Sequence, residues 1–399
     1  MRKVKKYKLF IFITFVIAGC VKPYYPAVVA TAHNYLVVEG LINSGNDSTF
    51  ITLNRTVTLN NANTVNPELN ALVTVEGEAN ENYILNEYGN GRYASAPLNL
   101  NFNKKYRLHI KANDGREYIS DFNEAKNTPG IDSISYKVQN NGIQFYVNAH
   151  DPQNSTRYYR WNFDETWKYV SYYRSFYKLV NGTPTYRDAY NAGDNIYECY
   201  KTSPSKQIIL GSSAKLGQDV IAMQPINFVD APSGKASKGY SILLRQYALT
   251  PAAYTYWQQL KKNTEQLGTI FDAQPSSLTG NLHCITNTAE PVIGYISVST
   301  VKSQRIFIDP FKVSLYAPGY IPPPLPDDCA SGYIPIAPGE SFDFRLNRVF
   351  GSGDTVMINS VQPRGAPAII GYTYAPKECV DCRSKFPKGT NVKPDYWPY

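Results

Sequence analysis

The stretch that decides the fold is Tyr106-Arg-Leu-His-Ile-Lys-Ala-Asn-Asp-Gly-Arg-Glu-Tyr-Ile-Ser120. Apolar and polar residues alternate before its centre, and the short run Glu117-Tyr-Ile-Ser120 follows the centre. Such alternation is typical of half-buried strands, because successive side chains of a strand point to opposite faces. The centre, Asn113-Asp-Gly115, supplies residues that accept the positive φ of a tight turn. The stretch therefore predicts a β-hairpin.

Shorter runs of the same kind precede this hairpin at regular spacing. They are Tyr35–Gly40, Thr49–Thr56, Ala71–Glu76, Tyr83–Leu85 and Arg92–Tyr93. No helical pattern interrupts them. Short strands at this spacing predict an N-terminal β-sandwich of immunoglobulin-like or related type over residues 35–125.

Strand patterns continue through the rest of the chain, for example at Ile131–Val138, Ile143–Val147 and Tyr240–Gln246. The chain also contains 33 Tyr, 27 Pro and 26 Gly. Tyrosine favours strands, whereas proline and glycine favour turns. We therefore predict a mainly β protein, in which a larger β-rich C-terminal domain over residues 126–399 follows the sandwich.

One well-capped helix is predicted at about residues 251–267. Thr250 can accept a hydrogen bond from the first turn, Pro251 suits the first helical position, and Gly268 suits the position past the end. Side chains spaced by three and four residues form one face of this helix. They are Tyr254, Trp257, Leu260 and Thr264.

The N-terminus reads as an export signal. Five basic residues lie within Met1–Lys8, an apolar run follows from Leu9 to Ala18, and small residues precede Cys20. This pattern predicts a signal peptide over residues 1–19. The apolar run is about half the ~20 residues that a membrane-spanning helix needs.

Cys20 directly after Ala18-Gly19 resembles the bacterial lipobox, in which the cysteine is acylated and becomes the first residue. That resemblance implies a lipidated tether over residues 20–34, with Pro23 and Pro26 stiffening it. It also implies that the acyl chains on Cys20 anchor the protein in a membrane.

The net charge gives no reason to expect a nucleic-acid partner. The formal charge is +8, but five of the 40 basic residues and none of the 32 acidic residues precede Cys20. The remainder carries 35 basic and 32 acidic residues. No run rich in lysine or arginine follows residue 8, so we predict no nucleic-acid binding.

Five cysteines remain after Cys20, so at most two disulfides form and one thiol stays free. Cys379 and Cys382 have the CxxC spacing, but neither the βαβ context of a redox motif nor a second pair of zinc ligands is nearby. A structural disulfide is favoured. The candidates are Cys329, Cys379 and Cys382, with Cys329 bonded to one of the other two.

The sequence contains no recognisable catalytic motif. Its four histidines lack metal-ligand spacing, and it has neither a nucleophile elbow nor a phosphate-binding loop. We therefore predict no cofactor, no metal site and no enzymatic activity. A glycosidase whose two carboxylates come from distant loops remains open as an alternative.

An aromatic block runs from Tyr158 to Tyr177 and allows two interpretations. Its rings can form a β-domain core, or they can stack on sugars or on a protein partner. We favour the core. Contacts with a ligand or partner are better assigned to tyrosines at the end of this block and in the excursion after it. The candidates are Tyr172, Tyr173, Tyr186, Tyr190 and Tyr197, and Tyr200 belongs to the same set.

Several motifs together resemble the Bacteroidota lipoproteins grouped as domain of unknown function 4249. They are the lipobox, Leu36–Gly40, Pro129–Ile134, Tyr159-Arg-Trp161 with Glu165-Thr-Trp167, Tyr240-Ser-Ile242, Gly268–Asp272 with Gln274-Pro-Ser276, and Cys379–Arg383 with Trp397. The resemblance implies an outer-membrane lipoprotein, often associated with a TonB-dependent transporter. It carries no active site that could be transferred to this chain.

Three Asp-Ser/Thr sequences resemble the O-glycosylation motif that this phylum uses for exported proteins. The acceptors would be Ser48, Ser133 and Thr355. The residues after Cys20 lack the acidic cluster that resembles a surface-export signal. Either the periplasmic or the surface face of the outer membrane therefore remains open.

These observations lead to three functional hypotheses. The first is an outer-membrane-anchored binding or accessory protein that works with a TonB-dependent β-barrel in nutrient uptake. The second is a surface glycan-binding protein with exposed aromatic side chains. The third is a hydrolase with dispersed carboxylates.

Overall fold

The computed structural model describes residues 34–57, 65–139, 141–188, 191, 193–265, 278–309, 325–336, 341–365, 367–386 and 389–398. The predicted signal peptide, Cys20 and all but the last residue of the predicted tether lie outside these ranges.

The strands, in chain order, are β1 (Leu36–Asn43), β2 (Phe50–Arg55), β3 (Leu72–Gly77), β4 (Asn82–Glu87), β5 (Arg92–Ala94), β6 (Lys105–Lys111), β7 (Glu117–Ser120), β8 (Asn123–Glu124), β9 (Ile131–Gln139), β10 (Gly142–His150), β11 (Tyr158–Val170), β12 (Tyr177–Val180), β13 (Thr183–Tyr186), β14 (Glu198–Pro204), β15 (Ile209–Ser212), β16 (Val220–Asp230), β17 (Tyr240–Ala248), β18 (Leu282–Cys284), β19 (Ile293–Gly294), β20 (Val298–Ser299), β21 (Val301–Ile308), β22 (Gly332–Pro335), β23 (Thr355–Val361) and β24 (Gly371–Pro376). The α-helices are α1 (Pro251–Glu265), α2 (Phe342–Phe350), α3 (Lys377–Val380) and α4 (Cys382–Lys385). Short 3₁₀ turns occur at Ala231–Ser233 and Asp327–Cys329.

The first body, the N-terminal sandwich, is one sheet in the order β18-β7-β6-β3-β4-β5-β2-β1-β19, in which β20 also pairs with β1 and β8 with β6. Because β4 pairs with both β3 and β5, it connects the strands β18-β7-β6-β3 to the strands β5-β2-β1-β19. Inward side chains of the alternating strands fill the core, for example Leu36, Leu53, Val75 and Leu108. The predicted hairpin is confirmed as β6 and β7, and the mainly β, sandwich-like fold class is confirmed with it.

Three of these strands come from much later in the chain. β18 pairs antiparallel with β7, whereas β19 and β20 pair parallel with β1. Their apolar residues, such as Leu282 and Val298, belong to the N-terminal core. The sequence-based division places these residues in the domain over 126–399, but their hydrogen bonds lie in the first sheet.

Gly294 lets this returning segment approach β1. Its φ is +141°, and a Cβ atom added there would overlap the carbonyl oxygen of Val38. We expect Gly294→Ala to destabilise the N-terminal sandwich by about 2 kcal/mol or more, because backbone strain and a backbone clash add together. Urea unfolding measures this loss.

Gly115→Ala is the matched control for Gly294→Ala. Gly115 also has a positive φ, +86°, but a Cβ atom there would meet nothing within 4 Å. Gly115→Ala should lower the free energy of unfolding by about 1–2 kcal/mol, because it only places an alanine in left-handed backbone. Equal losses in the two variants would contradict the close approach of the returning segment.

The second body, the central sandwich, packs two sheets on one core. The sheet β16-β10-β9 faces the sheet β14-β11-β17-β21, and β15 pairs with one end of β11. Phe145 of one sheet contacts Tyr240 of the other, with ring centres 5.5 Å apart. In the aromatic block, alternate rings are buried here: Tyr159, Trp161, Phe163, Trp167 and Tyr169. Core packing is therefore the role of most of this block.

The predicted helix is present as α1. Its first turn is capped as expected, since the amide of Ala253 donates to the hydroxyl of Thr250 at 3.2 Å. The fully buried side chains are Ala253 and Tyr256, whereas Thr264 is exposed. The buried stripe is therefore rotated from the predicted one toward Tyr256. Gly268, the predicted C-terminal glycine, lies outside the described residues.

The third part, the C-terminal sheet, has the order β22-β24-β23 and packs with α2 and the hairpin β12-β13. Two disulfides lie beside it. Cys329 bonds to Cys379, which confirms that Cys329 pairs with one cysteine of the CxxC motif. Cys382 bonds to Cys199, a partner that the sequence did not single out. Cys284 is the free, buried thiol.

Candidate functional site

A cleft of about 680 Å³ lies where the N-terminal sandwich, the central sandwich and α1 meet. One wall comes from β1 and the turn that follows it. The opposite wall comes from β11, β17 and β21, and α1 lines the cleft as well. Most lining residues are apolar or aromatic, and the charged ones are Glu39, Asp47, Arg160 and Arg245.

Strand alternation explains why polar groups reach this cleft from the central sandwich. Along β11, Tyr159 and Trp161 enter the core, so Arg160 and Asn162 point to the other face. In the antiparallel register Arg160 lies opposite Tyr247. Directly opposite side chains of paired strands are neighbours on one face.

Arg160 is held between aromatic rings. Its guanidinium carbon lies 4.0 Å from the ring centre of Trp257 and 4.7 Å from that of Tyr247. Cation–π contacts favour the charge but use none of the N–H donors. Nε is buried and has no hydrogen-bond partner among the described residues, and burial lowers the pKa of this arginine. An unsatisfied buried donor costs about 1–3 kcal/mol.

Arg245 differs from Arg160 in being paired. Its Nη2 lies 2.5 Å from the carboxylate of Asp164. Burial alone would lower the pKa of Arg245, but the hydrogen bond and charge of Asp164 raise it instead. Among the described residues, Arg160 is therefore the cleft arginine without a carboxylate partner.

The β1 wall of the cleft carries Glu39, which is exposed. Beside it the rings of Tyr256 and Tyr295 lie 5.1 Å apart. Burial, with a smaller contribution from the charge of Glu39, raises the pKa of Tyr256 to about 12. The cleft thus presents a carboxylate on one wall, a guanidinium on the other, and aromatic surface between them.

A family model described as "Domain of unknown function (DUF4249)" matches residues 21–305, well over half of the chain. The chain belongs to the DUF4249 family. The matched range includes every residue that lines the cleft, from Val37 to Ser303. It ends before the C-terminal sheet begins at β22.

No curated protein matches this DUF4249 sequence. Among solved structures, a DUF4785 family protein from Legionella pneumophila is 12% identical, with 53% of this chain and 52% of that chain covered and a TM-score of 0.20. The native conformation of E. coli alpha-2-macroglobulin is 8% identical, with coverages of 86% and 16% and a TM-score of 0.18. A mutant of Salmonella alpha-2-macroglobulin is 10% identical, with coverages of 80% and 16% and a TM-score of 0.16. The DUF4249 chain thus spans about half of the Legionella protein and 16% of each macroglobulin.

The predicted contact tyrosines that the structure describes do not line the cleft. Tyr186 is 68% exposed, and its ring centre lies 4.3 Å from that of Tyr177. Tyr173 is half-buried and donates its hydroxyl to the Cys329 carbonyl at 3.0 Å. Tyr190 lies outside the described residues.

The other two predicted tyrosines are half-buried beside cations. Lys385 Nζ lies 4.4 Å from the ring centre of Tyr172, and the guanidinium of Arg174 lies 5.6 Å from that of Tyr197. Tyr200, which belongs to the same set of predicted contact residues, is buried against Trp397. That assignment was wrong, because the C-terminal tail covers the ring.

The three predicted acceptor hydroxyls have different surroundings. Ser48 is half-buried and lines the cleft. Ser133 is exposed on β9 and accepts a hydrogen bond from Asn148 Nδ2 at 3.0 Å. Thr355 is half-buried, and its hydroxyl donates to the Val349 carbonyl.

The cleft residues of this DUF4249 protein were not identified as a site from the sequence. One signal was present, since Arg160 is a charged residue inside the aromatic run Tyr158–Trp161. Within the described residues, no group of three or more His, Cys, Asp or Glu side chains could hold a metal ion. None of the described helices is long and apolar enough to cross a membrane.

Proposed function

We propose that this DUF4249 protein is a binding or accessory protein, anchored in the outer membrane through acylated Cys20, that works with a TonB-dependent transporter in nutrient uptake. The observation that carries the binding role is the cleft between the two sandwiches. Ligand sites are typically concave, mostly apolar, and placed at domain interfaces with a few convergent polar groups. The cleft has each of these properties.

The membrane role is supported by the sequence before residue 34. The lipobox resemblance, with its basic start and short apolar run, supports acylation of Cys20, and family resemblance supports a transporter partner. Acyl chains give firm anchoring when two or more are present. The periplasmic and surface faces of the outer membrane both remain compatible with this role.

Cys20→Ser is expected to move the protein from the membrane fraction to the soluble fraction and to abolish labelling by radioactive palmitate. Without the thiol there is no site for the thioether-linked diacylglycerol. Fractionation of cells expressing each form, with an integral outer-membrane protein as the pellet marker, measures the change. A variant that still sediments with outer membranes would contradict the anchor.

The experiment that tests the accessory role is a mild-detergent pull-down of the native lipoprotein from its own outer membrane, followed by mass spectrometry. The proposal expects a β-barrel transporter in stoichiometric amount. Recovery of the lipoprotein alone, under conditions that preserve a known transporter complex of the same membrane, would overturn the accessory role.

Glycan binding is the second candidate, and the exposed ring of Tyr186 favours it. Sugar-binding platforms present open aromatic faces, and Tyr186 is the most exposed of the predicted tyrosines within the described chain. A sugar array with wild-type protein and Tyr186→Ala tests it. A hydrolase receives less support, because each described carboxyl group with a resolved pKa shift has a lowered pKa, whereas a catalytic acid needs a raised one.

A further inference from the structure

We propose that the cleft binds a small monocarboxylate with an apolar or aromatic body, and that the carboxylate is bound by the guanidinium of Arg160. This inference deepens the proposed binding function and rests on it. It names the chemical class of the ligand and the residue that selects that class.

The donors of Arg160 require an acceptor that the described protein does not supply. Trp257 and Tyr247 contact the guanidinium through their rings and accept no conventional hydrogen bond from it. Nε is buried without a partner. An arginine edge presents parallel N–H donors that match the two oxygens of a carboxylate, and such charge-assisted pairs are strong.

The other charges of the cleft favour a monoanion over a dianion. Glu39 and Asp47 line the same cavity, and the charge of Arg245 is already balanced by Asp164. A phosphate monoester carries nearly two negative charges at neutral pH and would meet these carboxylates with a single free arginine to offset them. A carboxylate brings one charge, which Arg160 can balance.

The remaining surface of the cleft predicts the body of the ligand. Phe50, Leu260 and Ile293 line it together with Tyr256 and Trp257. Burial of apolar ligand surface against such walls provides most of the affinity in sites of this size, while a few polar groups set the orientation. An apolar or aromatic body therefore fits better than a fully hydroxylated one.

The test uses wild-type protein and a panel of probes in matched pairs, measured by isothermal titration at constant ionic strength. The pairs are benzoate with benzamide, indole-3-acetate with indole-3-acetamide, and hexanoate with hexanamide; phenyl phosphate serves as the dianion. We expect at least one acid to bind about tenfold or more tightly than its amide, since the amide lacks the charge. A panel in which no acid exceeds its amide, or in which phenyl phosphate binds best, would overturn the proposal.

Arg160→Met and Arg160→Lys assign the effect to this residue. Methionine keeps apolar contact with Trp257 but removes the donors, so the preference for the acid should vanish while amide binding is retained. Lysine keeps the charge without the planar fork, so it should restore part of the preference. An Arg160→Met protein that binds the acid as tightly as wild type would overturn the proposal.

Thermal unfolding separates binding from a structural role. Removing an unsatisfied buried donor should leave the midpoint of Arg160→Met unchanged or higher. The matched control is Arg305→Met. Arg305 also stacks on a ring, that of Tyr396 at 3.6 Å, but donates to Ser241 and does not line the cleft. The Arg305→Met variant should be less stable than wild type and should still bind the acid more tightly than the amide. The opposite pattern would show that Arg160 is structural and would overturn the proposal.

The panel and the pull-down can fail separately. A transporter recovered by the pull-down with no acid preference in the panel would overturn the ligand class and leave the accessory role supported. An acid preference without a transporter would support the ligand class and overturn the accessory role.

Discussion

Replacing Arg55 with methionine is expected to lower the free energy of unfolding of the N-terminal sandwich by about 3–5 kcal/mol. The side chain of Arg55 is 3% exposed and lies at the centre of a buried polar network. Its Nε donates to the carboxylate of Glu68 at 2.5 Å, and its Nη1 donates to the hydroxyl of Tyr118 at 2.9 Å. The hydroxyl of Tyr118 in turn donates to the carboxylate of Glu290 at 2.8 Å. The same carboxylate lies 3.7 Å from Arg55 Nη1.

The effect is large because methionine removes the cation while the carboxylates around it stay buried. Glu68 is 12% exposed, so its carboxylate would remain in a desolvated site without its cation. Glu290, which is 8% exposed, would lose Arg55 and keep only Arg116, whose Nη1 lies 2.9 Å from it. Breaking a buried ion pair by removing one partner costs far more than the pair contributes net, because the remaining charge is uncompensated. Glu290 also precedes β19, so the network connects the returning segment to the first sheet.

Lys111→Met is the matched control for Arg55→Met. Lys111 forms an ion pair with Glu117 at 2.9 Å in the same sandwich, but its side chain is 56% exposed. Solvent screens such a pair, so its loss should cost less than about 1 kcal/mol. Urea unfolding followed by tyrosine fluorescence and circular dichroism compares the two variants. A loss of less than about 1 kcal/mol in Arg55→Met as well would contradict a stabilising role for the network.

Removing the Cys199–Cys382 disulfide, through Cys199→Ala with Cys382→Ala, is expected to cost about 2–5 kcal/mol. This bond joins β14 of the central sandwich to α4, across a sequence separation of 183 residues. A cross-link restricts the unfolded chain more when it closes a longer loop. Both cysteines are fully buried, so the native packing of α4 on the central core loses contacts as well.

The second disulfide provides the control. Cys329 and Cys379 are 50 residues apart, so the loop-entropy model gives their removal a cost smaller by roughly 1 kcal/mol. Guanidinium unfolding of the two double variants measures the difference, and limited proteolysis reports whether the segment after β24 detaches. A larger loss for the Cys329–Cys379 variant would show that strain or local packing, rather than loop length, governs both bonds.

The local elements of this fold could be predicted from the sequence because their signals are local. Alternation and Asn113-Asp-Gly115 predicted the β6-β7 hairpin, and Thr250 with Pro251 predicted the start of α1. Even here the exposed side of an element depended on its neighbours. Tyr256 was not placed on the buried face of α1, yet it packs against Tyr295 of the returning segment.

The return of β18–β20 could not be predicted in the same way. These strands are two or three residues long, too short to show a period, and they pair with strands more than 160 residues earlier. Sequence patterns report the environment of a residue and not the identity of its partner strand. The same reason applies to Cys199, because no local feature distinguishes it as the partner of Cys382.

The candidate site was predicted less well than the fold. Tyrosine abundance drew attention to Tyr172–Tyr197, whereas the cleft draws its walls from β1, β11 and α1, which are far apart in the chain. Arg160 can be recognised as a candidate binding residue only when Trp257 and Tyr247 are known to lie against its guanidinium. An arginine within a strand is otherwise expected to reach solvent.

The sequence by itself determined the mainly β class, the strands of the N-terminal sandwich from β1 to β7 and the capped start of α1, because each depends on residues close together in the chain. It favoured a disulfide from Cys329 to either Cys379 or Cys382, because few partner cysteines were available. Only the tertiary structure decided which strands close the N-terminal sandwich, which cysteine bonds to Cys382, and where the cleft lies. Those features depend on packing between distant segments, where the buried surface and the satisfaction of polar groups are properties of the assembled fold.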